Sequence, residues 1–356
     1  MLGHESYMQR SFQLARLASG YTAPNPLVGA VLVHEGRILA EGYHPAYGQR
    51  HAEAVCFDNL REEDRHLLAQ STLYVSLEPC AHWGKQPPCA DRIVSEKVGR
   101  VVVSNRDPFS QVAGRGFEKL HEAGIPVELG ILEQEGRWLN RRFFTFHEKQ
   151  RPYIILKWAQ SVDGYIAPDT RARTQLTGPL SSRLVHRWRT EEASILVGKT
   201  TAEMDNPQLT ARHWSGPQPL RIVLDRQLQL PRNLKVFDNT ADTWHVSTKQ
   251  GQPQLPGHIT VPSGTEELPA LLRNLYEAGK LSLIVEGGAA VLNSFIIAGL
   301  WDEARVLTAP VTLAGGISAP LLLDAQLASE SFIGPDQLTV FTQSESGFSY
   351  PAGAPL

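Results

Sequence analysis

His51-Ala52-Glu53, followed by Glu78-Pro79-Cys80-Ala81-His82-Trp83-Gly84-Lys85-Gln86-Pro87-Pro88-Cys89, is the stretch that decides how this chain is read. One imidazole and two thiolates give a tetrahedral zinc ion three protein ligands and leave its fourth position for water, whose ionisation zinc brings near neutral pH. Glu53 stands two residues from His51, close enough to handle protons without being a ligand. Other readings of the cysteines are a disulfide, burial as apolar residues, or a structural zinc closed by a fourth ligand, for which His82 is the nearest candidate. A chain with three cysteines and no secretory pattern disfavours the disulfide. Cys56, one helical turn beyond Glu53, reads as a small core residue.

Bulk properties bound the possibilities. The 356 residues suffice for two domains, and a composition of 42% hydrophobic and 20% charged residues is ordinary for a globular protein. A formal net charge of -3 argues against a broad nucleic-acid or anionic-membrane surface. No apolar run has the length of a membrane span. The first twenty residues read as an amphipathic helix with Met8, Phe12 and Ala15 on one face, neither a signal nor a transit peptide, so the expected location is cytoplasmic.

Patterning along the chain alternates strand and helix. A helix over about 5–19 precedes a hairpin of 28–33 and 38–43, the zinc histidine opens a helix, and 72–77 is a buried strand ending at Glu78-Pro79-Cys80. A helix begins at Cys89, 100–104 and 126–129 are strands, and 114–123 is helical, giving an α/β/α layer plan with metal ligands at helix starts, where the macrodipole favours thiolate. Arg137 to Gln150, rich in charge and aromatics, reads as a hinge, and the domains are placed at 1–148 and 149–356. The second half predicts strands at 153–158, 194–198, 220–224, 243–247, 281–285 and 303–309, helices at 266–279 and 289–299, and a surface connection over 250–264.

The second half offers subtler chemistry. Val285-Glu286-Gly287-Gly288-Ala289-Ala290 joins a strand to a helix; it is either a plain tight turn or a place where backbone N–H groups approach a phosphate. A G-x-G-x-x-G dinucleotide fingerprint is missing, and Gly198-Lys199-Thr200 fails as a phosphate loop because Ala193 stands where its first glycine belongs. Lys157 sits inside a strand, facing solvent or a cleft. Arg171, Arg173, Arg183, Arg187, Arg189 and Arg212 are either solvated charges or, in part, contacts for a phosphorylated substrate.

The His-x-Glu and Pro-Cys pattern resembles the zinc deaminases of nucleobases. Pro24-Asn25-Pro26-Leu27-Val28-Gly29, His51-Ala52-Glu53, Glu78 to Cys89 with its eight-residue spacer between cysteines, Asp107-Pro108 and Val112 to Phe117 extend the likeness. So do Lys157 to Gly164, Asp205 to Arg212 and Glu286-Gly287-Gly288. Together they resemble the bifunctional riboflavin-biosynthesis family, diaminohydroxyphosphoribosylaminopyrimidine deaminase joined to 5-amino-6-(5-phosphoribosylamino)uracil reductase. The resemblance implies an N-terminal cytidine-deaminase-like α/β/α domain and a C-terminal dihydrofolate-reductase-like α/β domain, with Zn2+ and NADPH as cofactors. It implies a small-molecule substrate, 2,5-diamino-6-(5-phosphoribosylamino)pyrimidin-4-one, and a homo-oligomer.

Carried onto this sequence, His51, Cys80 and Cys89 are the metal ligands, Glu53 the proton shuttle, and Asn25, His44, His82 and Lys85 the deaminase substrate contacts. Lys157, Arg173, Arg189, Leu209, Arg212 and Glu286 match reductase substrate positions. Ala159, Gln175, Thr201, Asp205 and the run Gly288, Ala289, Ala290, Val291, Leu292, Asn293 and Ser294 match positions around the dinucleotide. The family often carries Ser and Trp in the segment here reading Arg173-Thr174-Gln175, so either substrate and nicotinamide packing differ there or the alignment slips. Alternatives are a nucleoside or tRNA deaminase with an inactive reductase-like appendage, a catalytically silent zinc scaffold, and a working deaminase fused to a crippled reductase. Retention of Glu53 opposes the scaffold, and the net charge opposes the RNA enzyme.

Overall fold

The structure, a computed structural model, describes residues 3–109, 113–170, 174–249 and 257–351. The chain forms two compact units that part between Lys149 and Gln150. Among the described residues, no helix is long and apolar enough to cross a membrane.

In the first unit the order is α1 (His4–Arg16), β1 (Gly29–His34), β2 (Arg37–Tyr43), α2 (Ala52–Asp58), β3 (Thr72–Leu77), α3 (Cys89–Ser95), β4 (Arg100–Asn105), α4 (Arg115–Glu122), β5 (Val127–Leu129), α5 (Glu133–Leu139) and α6 (Arg141–Lys149). A 3-10 turn over Glu62–Gln70 separates α2 from β3. The sheet runs β2-β1-β3-β4-β5. Strands β1, β2 and β3 pair antiparallel, and β3, β4 and β5 pair parallel.

Strand alternation builds the layers. Leu32, Leu73, Val75, Val101 and Val103 point to one face and pack with Ala52, Cys56 and Phe57 of α2, Ile93 of α3 and Leu120 of α4. Val31, Val33, Tyr74 and Val102 point to the other face and meet Met8, Phe12 and Ala15 of α1 and Leu139 of α5. The fully buried Phe57 contributes about 1.5–3 kcal/mol to the seat of α2.

Gly42 sets how closely α2 lies on the sheet. A Cβ there would run into the carbonyl of Ala52 and the backbone of Cys56. Gly42→Ala is therefore expected to lift the helix that carries His51 and Glu53, costing about 1–3 kcal/mol by overpacking. Zinc content and the thermal midpoint of the purified variant check this, and unchanged values for both would refute it.

The stretch 137–150, expected to be a hinge, is helical: α5 and α6 belong to the first unit. Its charges misled because they lie over its aromatics. Arg141 covers the Trp138 ring at 4.1 Å, and Arg137 covers Phe144 at 4.5 Å while pairing with Glu148. Trp138, Phe143 and Phe144 are buried beneath them.

The second unit contains β6 (Tyr153–Ser161), β7 (Tyr165–Ala167), α7 (Pro179–Glu191), β8 (Ser194–Gly198), α8 (Lys199–Asp205), β9 (Leu220–Leu224), β10 (Thr243–Ser247), β11 (His258–Thr260), α9 (Glu267–Glu277), β12 (Ser282–Val285), α10 (Ala289–Ile297), β13 (Glu303–Ala309), β14 (Ile317–Ser318), β15 (Ala325–Ile333) and β16 (Asp336–Gln343). Nine strands form one sheet in the order β11-β10-β9-β8-β12-β6-β13-β16-β15. The run from β11 to β13 is parallel, and β16 and β15 close one edge antiparallel. Its central strands are continuous apolar runs because helices cover both faces. Leu271, Leu272 and Leu275 of α9 and Leu292 and Phe295 of α10 pack one face. On the other, Arg305 of β13 covers Trp188 of α7 at 4.7 Å.

Two expectations change here. Part of the 250–264 connection is the short edge strand β11, parallel to β10, while residues 250–256 lie outside the described residues. The hairpin of β15 and β16 has no counterpart in the sequence reading, which ended its strands at 309.

Candidate functional site

In the first unit, local structure brings three donors together. His51 is the N-cap of α2, with extended backbone and no capping hydrogen bond from its side chain, so the ring is free to ligate. Cys89 is the first residue of α3, which follows Pro88. Cys80 lies in the loop after β3 rather than at a helix start, which corrects the expectation for that ligand. Its sulfur nevertheless accepts the N–H of Cys89 at 3.3 Å, and its carbonyl accepts the N–H of Ala90 at 3.1 Å.

The Nδ1 atom of His51 lies 3.5 Å from Cys80 Sγ and 3.3 Å from Cys89 Sγ. Zinc bonds of ~2.0 Å to nitrogen and ~2.3 Å to sulfur at a tetrahedral angle place such donors roughly 3.5 Å apart. The residues therefore fit the ion. Among the described residues, His51, Cys80 and Cys89 form the group of ligand-type side chains that converges closely enough for a metal, and His82 is not part of it. The fourth-ligand reading of His82 thus finds no support; its ring stands edge-on to Phe109 at 6.1 Å. The Cys80 thiol is pushed down to about 4 by its hydrogen bond with Cys89 and by the neighbouring His51, while Cys89, which gives that hydrogen bond, is pushed well up. One shared proton explains the split, and a divalent cation would displace it.

Glu53, in the first turn of α2, is 3% exposed and touches Cys89. Burial raises its proton affinity, as suits a group that must hold a proton in one half of a cycle and release it in the other. The Cys80 loop is itself anchored. Glu78 accepts hydrogen bonds from the N–H groups of Asp107, Gly114 and Gly116 at 3.3, 3.1 and 3.1 Å.

A cavity of about 410 Å³ opens onto this centre, and Asn25, His44, His51, Glu53, Cys80, His82 and Lys85 all line it. Asn25 Nδ2 donates to His44 Nε2 at 3.2 Å, and His44 Nδ1 donates to the Arg50 carbonyl at 3.0 Å. This network fixes the tautomer. Burial holds His44 neutral by lowering its pKa. Lys85 is exposed, its Nζ 4.0 Å above the Tyr47 ring.

Asp107 and the α6 side chains Phe143, Phe146 and His147 also line the cavity and were missed as site residues in the sequence. Burial pushes the Asp107 carboxyl up to about 7. The signal for the helix was the i, i+3, i+4 spacing of Phe143, Phe146 and His147.

In the second unit a cavity of about 850 Å³ lies beyond the carboxyl ends of β8, β9 and β12, the place where open α/β sheets bind ligands. Lys157, Ala159, Gln175, Thr201, Asp205, Glu286, Gly288, Ala289, Ala290 and Val291 line it. Gly288 is the N-cap of α10. Leu292, Asn293 and Ser294 do not line it: Leu292 is fully buried in the core, and Ser294 Oγ donates back to the Ala290 carbonyl. A helix turns ~100° per residue, so seven consecutive residues cannot present one face. Arg173 lies outside the described residues.

Arg189, Leu209 and Arg212 do not line this cavity, and of the three Arg189 reaches it by pairing with Glu286. Arg189 donates to both Glu286 oxygens, at 3.1 and 2.7 Å, and to the Thr210 carbonyl at 3.2 Å. Lys157 Nζ is 3.9 Å from the same carboxylate. Burial lowers the Lys157 pKa against the pull of Glu286, and the two short bonds from Arg189, against 3.9 Å for Lys157, make Arg189 the principal partner of the carboxylate. Next to it, Leu209 takes a left-handed φ of 57°, and the Arg212 N–H donates to His186 Nδ1 at 3.0 Å.

Fold and site thus define a zinc-deaminase unit joined to a reductase-type α/β unit. The family described as the cytidine and deoxycytidylate deaminase zinc-binding region matches residues 1–105, and the RibD C-terminal domain matches residues 152–339. The riboflavin biosynthesis protein RibD of Aquifex aeolicus is 39% identical over 321 residues, 88% of this chain and 89% of that protein. That of Bacillus amyloliquefaciens is 37% identical over 332 residues, covering 90% and 88%. The crystal structure of a diaminohydroxyphosphoribosylaminopyrimidine deaminase/5-amino-6-(5-phosphoribosylamino)uracil reductase from Thermotoga maritima superposes with a TM-score of 0.87 at 33% identity, covering 96% of this chain and 98% of that one. The chain belongs to the RibD family of riboflavin biosynthesis proteins.

Proposed function

We infer that this chain carries out two successive steps of riboflavin biosynthesis, a hydrolytic deamination in the first unit and a reduction in the second. The substrate is 2,5-diamino-6-(5-phosphoribosylamino)pyrimidin-4-one, and the reduction opens the ribosyl group of its deaminated product into a ribityl chain. The observation that carries this reading is the convergence of His51 Nδ1 with the two cysteine sulfurs beside the buried Glu53.

His51, Cys80 and Cys89 would hold zinc, which when bound makes a water molecule nucleophilic near neutral pH. Glu53 takes a proton from the attacking water and delivers it to the amino group, which departs as ammonia. The Asn25–His44 pair orients the pyrimidine, and Lys85 meets the phosphate. NADPH, when bound, supplies the hydride in the second unit. Lys157 and Glu286 hold the substrate there, with Arg189 fixing the Glu286 carboxylate, and the turn from Gly288 to Val291 with Ala159, Thr201 and Asp205 flanks the dinucleotide. A homo-oligomer and a cytoplasmic setting, which keeps thiols reduced, belong to the same reading.

A nucleoside or tRNA deaminase with an idle appendage fits less well, because the second unit keeps a wide crevice and a Glu286 with two cationic partners. The test supplies the diaminopyrimidine ribotide and NADPH to the purified zinc-loaded chain and follows ammonia and nicotinamide absorbance together. Both signals are expected in sequence. Ammonia without NADPH oxidation would leave only the deaminase, and the absence of both would overturn the reading.

A further inference from the structure

One wall of the deaminase cavity is left unused by the steps above. Phe143, Phe146 and His147 of α6 and Phe109 after β4 form it. The His147 ring is held among aromatic neighbours, with centroids 4.5 Å from Phe143, 5.1 Å from Phe109 and 5.4 Å from Phe146. Packing of this kind fixes the plane of an imidazole. Yet neither of its nitrogens has a hydrogen-bond partner among the described residues, and burial is the one influence on its proton affinity. Across Phe109, the Nδ1 atom of His82 is buried without a partner.

Buried polar atoms in native proteins are paired as a rule, so His82 Nδ1 calls for an explanation, and the half-buried His147 stands on the same cavity wall with no protein partner for its nitrogens among the described residues. A phenylalanine would fill the His147 position as well if packing were its only task. The imidazole adds a donor and an acceptor, and both remain available to whatever occupies the cavity.

We propose that His147 is a substrate-binding residue of the deaminase unit, hydrogen-bonding a polar edge of the pyrimidine while Phe109 and Phe143 pack beside the ring. This rests on the deaminase reading of the cavity. A substrate with its reacting carbon at the metal trio and its phosphate at the exposed Lys85 leaves the rest of its ring for this wall. A diaminopyrimidinone carries both donors and acceptors there, which suits a neutral imidazole better than a fixed charge.

The test compares His147→Phe, which keeps the aromatic packing and removes both nitrogens, with the wild type. Ammonia release is measured against the diaminopyrimidine ribotide. KM is expected to rise about tenfold, the worth of one good hydrogen bond, with kcat changed far less. Zinc content, and NADPH oxidation on separately supplied deaminated pyrimidine, stay at wild-type levels. His147→Gln, which restores a donor and an acceptor, should recover part of the loss. Should His147→Phe lose its zinc, His147→Leu gives the same comparison, with the same rise in KM expected.

A wild-type KM in whichever nitrogen-free variant retains zinc would overturn the proposal and reduce His147 to packing. A wild-type chain that binds zinc but releases no ammonia would instead overturn the deaminase reading, and the proposal with it.

Discussion

Glu53→Gln is expected to lower the deamination rate by about 10²–10⁴-fold while one zinc remains bound per chain. The substitution keeps the volume of a side chain that is 3% exposed, so the seat of α2 on the sheet is preserved. It also leaves His51, Cys80 and Cys89 untouched. What it removes is a site that can accept a proton and give it back. An amide does neither at neutral pH, so the attacking water is not relieved of its proton and the amino group does not gain the one it needs to leave as ammonia. Glu53→Asp should fall between, because a carboxylate drawn back by one methylene misplaces the proton by about 1 Å, which costs on the order of 10²-fold. Ammonia release under saturating substrate, zinc content, and NADPH oxidation on the deaminated pyrimidine separate the possible causes. Wild-type ammonia release from Glu53→Gln would remove Glu53 from the chemistry, and loss of zinc would make it a structural prop.

The candidate metal centre was legible because its residue types and spacing carry the chemistry almost unaided. A His that starts a helix and a Cys behind Pro-Pro are recognisable as ligands, and the structure brings their donor atoms within tetrahedral reach. The layers of the first unit were legible for a similar reason. Tyr74 and Val102 alternate with Leu73, Val75, Val101 and Val103 across a sheet covered on both faces.

The aromatic wall was not legible, because α6 reads as a charged connector until Arg137 and Arg141 are seen lying over Phe144 and Trp138. Cation–π contacts of this kind turn a charge-rich segment into a packed one, and charge counting alone gives no sign of it. The edge hairpin escaped for a different reason. Asp336–Gln343 alternates strictly between buried and half-buried positions, but Thr, Gln and Asp occupy many of them, so hydropathy understates the period. Spatial convergence lay beyond sequence altogether. Arg189 and Glu286 are 97 positions apart, and nothing local to either announces the pair.

That pair carries the second large expectation. Glu286→Gln should destabilise the second unit by about 3–5 kcal/mol and lower NADPH oxidation at least tenfold, with ammonia release from the first unit unchanged. The Glu286 side chain is 9% exposed, and its partners Arg189 and Lys157 are 13% and 14% exposed. An amide of the same shape leaves these two cations facing each other without compensation, and releases the guanidinium that also holds the Thr210 carbonyl. The loop from Leu209 to Arg212 then loses one of its anchors.

The pH dependence gives an independent check. Burial alone would raise the Glu286 carboxyl, but Arg189 and Lys157 bring it from 4.5 down to about 2. A carboxylate whose folded pKa is depressed stabilises the fold fully above its unfolded value, and that contribution fades as pH falls through the folded one. The stability gap between wild type and Glu286→Gln should therefore be widest near neutrality, narrow below about pH 4.5 and close near pH 2. Urea titrations of both proteins across that range measure it. Equal midpoints at neutral pH would mean that Arg189 and Lys157 find other partners at no cost, and the cluster would lose its claim to organise the reductase cavity.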